Sequence, residues 1–258
     1  MSVFDSIALT YDNDFTQSVI ARHLRERTHT RLLSRFHTGD CVLELGCGTG
    51  EDALTLGSRG IRVIATDSSA NMIEIARRKT TDQPLVNVHS LDLARPDPNF
   101  MPDTVFAGAF SNFGAINCVE NRRALAAWLA NRVQIGGVVA FGVMSPLCVW
   151  EMLWHGAHLE FNVAFRRQKR GVMFVAESGA PIPIYYPTIA QITREFEPHF
   201  KRIHIEPLGV FLPPTAGYAI VEKRPTLLRT LMRLDDSMGR LRMLSMIADH
   251  YWIEFERV

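Results

Sequence analysis

From Cys41 onward, short apolar runs alternate with stretches whose apolar residues follow a helical spacing. Residues 41–45 read as a first strand and residues 51–58 as a helix leaving a glycine-rich turn. Residues 61–66 are β-branched and apolar, the mark of a strand buried on both faces. In residues 71–79, Met72, Ile73, Ile75 and Ala76 take helical positions. Third and fourth strands are expected at 86–93 and 104–110. Residues 120–133 form an amphipathic helix with Leu125, Trp128, Leu129 and Val133 on one face. Gly136-Gly137 is expected to end it before a fifth strand at 138–143. Strands alternating with helices across short linkers predict a parallel sheet covered on both faces.

The alternation breaks at residues 146–187, which hold a dense aromatic stretch, a basic knot and a predicted hairpin of 172–176 with 182–186. It resumes with a helix at 188–197 and strands at 202–205 and 218–222. Residues 225–246 read as a basic amphipathic helix or helix pair, and the first 35 residues as helical. The expected organisation is one domain over 1–258, with a helical lid at 1–38, an inserted cap at 146–187 and a helical appendage at 225–258.

At 258 residues the chain can form one large domain or a domain with a cap. A formal net charge of +1 gives no global pull toward nucleic acid, and no RNA-binding module is recognisable, so nucleic acid is not expected as a partner. Cys41, Cys47, Cys118 and Cys148 are scattered without a C-x-x-C pair and read as free thiols of a reducing compartment. The start of the chain lacks a basic-then-apolar signal pattern. The longest apolar run, 135–150, is interrupted by Gly136, Gly137, Ser145 and Pro146 and falls short of a membrane span. A cytoplasmic location is expected.

The strongest chemical signal is Val42-Leu43-Glu44-Leu45-Gly46-Cys47-Gly48-Thr49-Gly50. An apolar strand carrying an acid opens into alternate glycines, which let the chain turn and a ligand approach the backbone closely. A second strand ends in Asp67, 17 residues after Gly50. A carboxylate at that end of a strand can accept both hydroxyl protons of a ribose. Glu44 places negative charge where a dinucleotide needs room for pyrophosphate, which favours a cationic or zwitterionic nucleoside such as S-adenosylmethionine. A nicotinamide- or flavin-binding fingerprint, G-x-G-x-x-G, fits less well, because the third glycine comes one position early and Glu51 follows it.

These residues, with Ala65-Thr66-Asp67-Ser68-Ser69, Met72, Asp92-Leu93 and Phe110-Ser111-Asn112-Phe113-Gly114, resemble the class I S-adenosylmethionine-dependent methyltransferases of the small-molecule type. Motifs carry the resemblance over roughly residues 40–145. It implies a Rossmann-like α/β fold with a mostly parallel seven-stranded sheet, helices on both faces, and a last strand, here 218–222, inserted antiparallel. It further implies that Gly46, Cys47, Gly48 and Gly50 hold the methionine part of the cofactor, with Glu44, Ser68, Ser111 and Asn112 beside it. Asp67 would take the ribose and Asp92 the adenine amino group, with Met72 and Leu93 sandwiching the purine. The segment around Tyr11 is similar to the lid of such enzymes, where a tyrosine covers the cofactor. The product would be S-adenosylhomocysteine.

A sulfonium is already an activated leaving group, so alignment and exclusion of water can supply most of the catalysis, on the order of 7–11 kcal/mol. A base is needed only where the acceptor must lose a proton. The residues after the fourth strand are not Asn/Asp-Pro-Pro-Tyr, and neither a paired-acid Mg²⁺ site nor an arsenic-type cysteine set is evident, so no metal is expected. What remains is O-, N- or C-methylation of a small organic acceptor of quinone- or lipid-like or secondary-metabolite type. Phe113, Trp150, Trp154 and Tyr185 are its candidate contacts and His155 and His158 candidate bases, although these aromatics could equally form the cap's own core. Arg166-Arg167-Gln168-Lys169-Arg170 and the basic C-terminal helix suit either a solvated face, a second subunit in a homodimer, or an anionic membrane surface. A non-catalytic S-adenosylmethionine-binding module and a nicotinamide-dependent oxidoreductase stand as alternatives.

Overall fold

The computed structural model describes residues 3–175 and 180–258. Its centre is a seven-stranded sheet of β1 (Cys41–Leu45), β2 (Arg62–Asp67), β3 (Val86–Ser90), β4 (Phe106–Ser111), β5 (Val133–Met144), β8 (Phe200–Leu208) and β9 (His250–Arg257). Their order is β3-β2-β1-β4-β5-β9-β8. β1 to β5 pair in parallel, and β9 lies antiparallel to both its neighbours. The Rossmann-like class I methyltransferase sheet expected from the sequence is therefore present.

Helices cover both faces. α5 (Arg122–Ala130) and α8 (Ile189–Phe196) bury Leu125, Leu129, Ile192 and Phe196 against Leu43, Phe141, Ile253 and Phe255. On the other face, α2 (Val19–Leu33), α3 (Glu51–Gly57) and α4 (Ala70–Lys79) bury Leu32, Leu56 and Ile73 against Val42, Val63, Phe110 and Trp252. Burial on both sides explains the continuous apolar runs of the inner strands.

Two sequence expectations are corrected. Residues 218–222 are not the antiparallel strand. They form the short helix α9 (Tyr218–Glu222), and β9 takes the central antiparallel place. A five-residue apolar run does not by itself distinguish strand from helix. Here Tyr218 and Val221 join a cluster with Phe15, Ile20 and Leu24, and Glu222 accepts hydrogen bonds from Ser18 Oγ (2.6 Å) and Ile20 N (3.1 Å) at the start of α2. The 225–258 segment is correspondingly helical only in α10 (Pro225–Ser237) and a short 3₁₀ turn before β9. Gly136-Gly137 also does not end a helix. α5 stops at Ala130, and both glycines lie inside β5. A Cβ on Gly137 would sit 2.6 Å from the Ala107 carbonyl oxygen, so close approach of β4 requires the glycine.

The lid consists of α1 (Val3–Tyr11), a π-helical turn Asp12–Thr16 and the start of α2. Asp5 accepts from Ser69 Oγ (2.6 Å) and Asn71 N (3.2 Å), while Asp12 pairs with Lys79 at 2.8 Å and accepts from Thr49 Oγ1 (2.6 Å). The cap comprises α6 (Val149–Ala157), α7 (Phe161–Ala164), a 3₁₀ turn at Arg166–Gln168 and a hairpin of β6 (Val172–Phe174) with β7 (Ile182–Ile184). The hairpin pairing is shorter than expected, and Ala176 lies outside the described residues. Phe4 of the lid stacks on Phe174 of the cap with centroids 6.0 Å apart. α10 packs Leu228, Leu231 and Met232 against the α2–α9 cluster and anchors buried Asp235 to Arg27 at 2.6 Å. Among the described residues, no helix is long and apolar enough to cross a membrane.

Glu254 of β9 is fully buried and accepts from Arg31 Nε and Nη2, Arg35 Nε (all 2.8 Å) and Trp252 Nε1 (2.9 Å), tying α2 to the sheet. Glu254→Ala should cost about 2–3 kcal/mol, less than a fully buried pair because both arginines reach solvent. Urea unfolding checks this, and an unchanged midpoint would show that the link carries no stability.

Candidate functional site

A cavity of about 590 Å³ runs along the carboxyl edge of the sheet, where ligands of open α/β sheets bind. Sheet order lays out its wall. Asp92 and Leu93 follow β3, Asp67 and Ser68 end β2 beside Met72 of α4, and Gly46 to Thr49 follow β1. Asn112 and Phe113 follow β4, Met144 ends β5 and His250 begins β9. The lid contributes Phe4 and Tyr11, and the cap contributes Trp150, Trp154, His155 and Tyr186.

The glycine loop is held in shape by its own backbone. Gly46 N and Cys47 N both donate to Thr66 O at 2.8 Å. Gly46 has φ +75°, and a Cβ there would lie 2.3 Å from Ala115 Cβ, so this position admits only glycine. Asp67 accepts from Gly48 N and Ser69 N, both at 2.9 Å, and pairs with no Lys or Arg among the described residues. Burial pushes its carboxyl up, and the amides of Ser69, Gly48 and Ser68 only partly offset this. Asp67 is therefore a cavity-wall carboxylate with lone pairs to spare.

Next to the loop lies a polar cluster that sequence reasoning missed. Buried Arg25 pairs with Asp52 at 2.7 Å, and His29 Nε2 reaches the same oxygen at 2.6 Å. Asn112 Nδ2 donates to Thr28 Oγ1 at 2.8 Å and to Asp52 Oδ2 at 3.3 Å. The Arg25 guanidinium covers the Phe113 ring at 4.9 Å. Burial alone would raise the Asp52 carboxyl, but Arg25 and then His29 hold it well below the usual carboxylate range. The Tyr11 hydroxyl is pushed up to about 12 by burial, against the opposing charge of Arg25. Arg25 and Asp52 come from helix positions with no motif, so nothing local in the sequence marks them.

The structure brings most of the expected residues to the wall and leaves five off it. Tyr11, Gly46, Cys47, Gly48, Asp67, Ser68, Met72, Asp92, Leu93, Asn112, Phe113, Trp150, Trp154 and His155 line the cavity. Glu44 does not. It is 1 % exposed behind the loop, Oε2 has no partner, and burial together with Asp52 pushes its carboxyl well above the ordinary value despite Arg25. Beside the loop, the acids that face the cavity are instead Asp67, Asp52 and Glu51. Ser111 is likewise wholly buried within β4, and Gly50 turns the chain into α3 without reaching the wall. His158 bonds the Trp154 carbonyl at 2.8 Å on the exposed side of the cap. Tyr185 is fastened by its backbone to Asn117 (2.7 and 2.6 Å), and its neighbour Tyr186 lines the cavity instead.

At the cap end, Arg167 of the basic knot is buried and bonds Asp249 Oδ1 and Glu151 Oε2, each at 2.6 Å. Arg166 meets the other oxygen of Glu151 at 2.5 Å. The knot is thus partly an internal ion cluster rather than a solvated run.

Residues 42–137 match a family model described as "Methyltransferase domain". Among curated proteins the chain is similar to the ubiquinone/menaquinone biosynthesis C-methyltransferase of Francisella tularensis, 32% identical over 48% of this chain and 51% of that protein. The chain spans about half the length of the curated relatives that it matches. Among solved structures, an S-adenosylmethionine dependent methyltransferase from Mesorhizobium loti is 17% identical, with TM-score 0.58 over 91% of this chain and 98% of that one. Phosphoethanolamine N-methyltransferase 2 of Haemonchus contortus, solved with S-adenosyl-L-methionine, is 17% identical with TM-score 0.62, over 98% of this chain and 57% of that one.

The unpartnered Glu44 carboxyl makes a stability prediction. Its folded-state pKa is raised, so its contribution is most favourable below the unfolded pKa and is lost as pH rises toward the folded one. Glu44→Gln, which cannot ionise, should therefore raise the urea midpoint at pH 8 and gain less at pH 4. An equal effect at both pH values would mean that shape, not charge, sets the cost.

Proposed function

We propose, for a chain that belongs to the class I S-adenosylmethionine-dependent methyltransferases, that it transfers the methyl group of S-adenosylmethionine to a small organic acceptor held beneath the cap. The observation that carries this reading is the order of groups along one wall: Asp92, Asp67, then the loop Gly46 to Gly48. Asp92, Leu93 and Met72 would hold the adenine, and Asp67 the two ribose hydroxyls. Gly46 to Gly48 would hold the methionine part, its carboxylate facing Arg25 and its ammonium Asp52. Tyr11 would close over it from the lid.

The residues present fit that nucleoside. Asp67 is half-buried, faces the cavity and pairs with no Lys or Arg among the described residues, so hydroxyl donors satisfy it where a pyrophosphate would be repelled. When bound, the sulfonium supplies an activated methyl group. The protein's part is to hold the acceptor in line and to exclude water, for which the lid–cap roof and the apolar wall of Met144, Trp150, Ile184 and Ile220 are suited. The same wall favours an acceptor with a planar or apolar body, in keeping with the relative named for ubiquinone/menaquinone biosynthesis. Whether oxygen, nitrogen or carbon receives the methyl group depends on the polar groups at the cap end.

Calorimetric titration with S-adenosylhomocysteine should give binding on the order of micromolar, and NAD⁺ should give none. Asp67→Ala should weaken that binding roughly 10- to 100-fold, as loss of hydrogen bonds to a charged group does. Unchanged affinity in this variant would remove the ribose assignment. Binding of S-adenosylmethionine without its conversion to S-adenosylhomocysteine in the presence of any acceptor would make the protein a sensor rather than an enzyme.

A further inference from the structure

His250, Asp249 and Arg167 form a chain of polar groups that ends on the cavity wall. His250 is the first residue of β9, opposite Met144 of β5 and Leu208 of β8. Its Nδ1 lies 3.0 Å from Asp249 Oδ2, and its ring meets Phe113 edge-on at 6.0 Å between centroids. Asp249 is 4 % exposed and takes Nη2 of Arg167 on its other oxygen, while Arg167 also donates to the Asp249 carbonyl at 3.0 Å. Burial alone would raise the Asp249 carboxyl, but Arg167 and His250 hold it far below the usual range, so it stays ionised. Glu151, Cys148, Tyr186 and Tyr218 complete the titratable surroundings of this pair.

Nδ1 is shielded from solvent and faces the Asp249 carboxylate at ion-pair distance, without hydrogen-bond alignment, which leaves Nε2 as the nitrogen able to receive a proton. His155, the other histidine on the wall, pairs with Glu160, whose side chain is 53 % exposed. That pair is solvated and free to rearrange. A neutral amine can attack a methyl sulfonium before it loses its proton, whereas an oriented base acts where the acceptor must be activated by losing one, as a hydroxyl is. Phe113 meets the His250 ring and Tyr186 lies over Arg167, and both line the cavity with Trp150, which suits a flat ring.

We propose that His250 is the general base for a hydroxyaromatic acceptor, with Asp249 and Arg167 as positioning residues. This rests on the methyl-transfer reading above. The acceptor O–H bond breaks and its proton goes to Nε2. The oxygen lone pair forms the O–CH₃ bond, and the S–CH₃ bond breaks with its electron pair retained on sulfur. The positive charge lost at sulfur reappears on the imidazolium, next to Asp249, and the proton then leaves to water.

The test uses 4-nitrophenol as the probe, with the protein loaded with S-adenosylhomocysteine, at a pH where the free phenol is mostly protonated. The wild-type protein should show roughly tenfold more of the coloured phenolate for bound than for free probe, one pKa unit's worth. His250→Gln should abolish that excess while still binding S-adenosylhomocysteine, Asp249→Asn should reduce it, and added imidazole should restore it in His250→Ala. No phenolate excess with the wild type, whether or not the probe binds, overturns the proposal, as does an excess that persists in His250→Gln. Failure of the wild-type protein to bind S-adenosylhomocysteine would instead overturn the methyl-transfer reading itself.

Discussion

A strand in a parallel sheet presents only its carboxyl end, and the loop after it, to the ligand crevice. β9 runs the other way, so its first residue reaches the edge where the other strands finish. Its burial is complete on both faces: Tyr251, Ile253 and Phe255 join one core and Trp252 the other. Large side chains of this kind each contribute on the order of 1.5–3 kcal/mol by leaving water. Glu254, on the Trp252 side, commits Arg31 of α2 and Arg35 just after it to the strand. Since α2 also carries Arg25, and the lid precedes it, one antiparallel strand fixes both the cap end and the lid end of the cavity relative to the sheet.

The carboxylates around the cavity divide by environment. Asp52 is held by Arg25, His29 and Asn112 and stands as a fixed negative charge on the cavity wall. Asp67 is held only by backbone amides and retains capacity for new donors. Glu44 has no opening to the cavity, and Arg25 offsets too little of its burial to favour ionisation. Three acids close to one loop therefore do three different things, and desolvation set against specific partners decides which.

The part of the cavity wall built from β1, the glycine loop and β2 was legible because its determinants are local. A strand, a tight glycine turn and an acid at the next strand's end lie within residues 42–67 and need no long-range contact to be placed. Single residues were misplaced where strand parity decides. Val42 and Glu44 face the α2–α3 side and Leu43 and Leu45 the other, so a side chain inside β1 cannot reach past its end. The antiparallel strand was illegible for another reason. Residues 218–222 and 250–257 are both apolar enough to be strands, and only tertiary packing distinguishes them. Misreading the second as helical hid Asp249 and His250.

The basic knot at 166–170 shows how far a charge run can depart from a solvated face. Arg170 is 91 % exposed at its side chain, whereas Arg167, three residues earlier, is sealed between Glu151 of the cap and Asp249 ahead of β9. Loss of one member of such a buried cluster leaves uncompensated charge, at about 3–5 kcal/mol. Arg167 therefore serves two ends with one guanidinium: it fastens the cap to the sheet, and it fixes the carboxylate that faces His250. Cap attachment and histidine orientation are coupled through it. A change at Arg167 must disturb both, whereas a change at Asp249 leaves Arg167 its bond to Glu151, and so keeps the cap tied to the basic turn while freeing the imidazole.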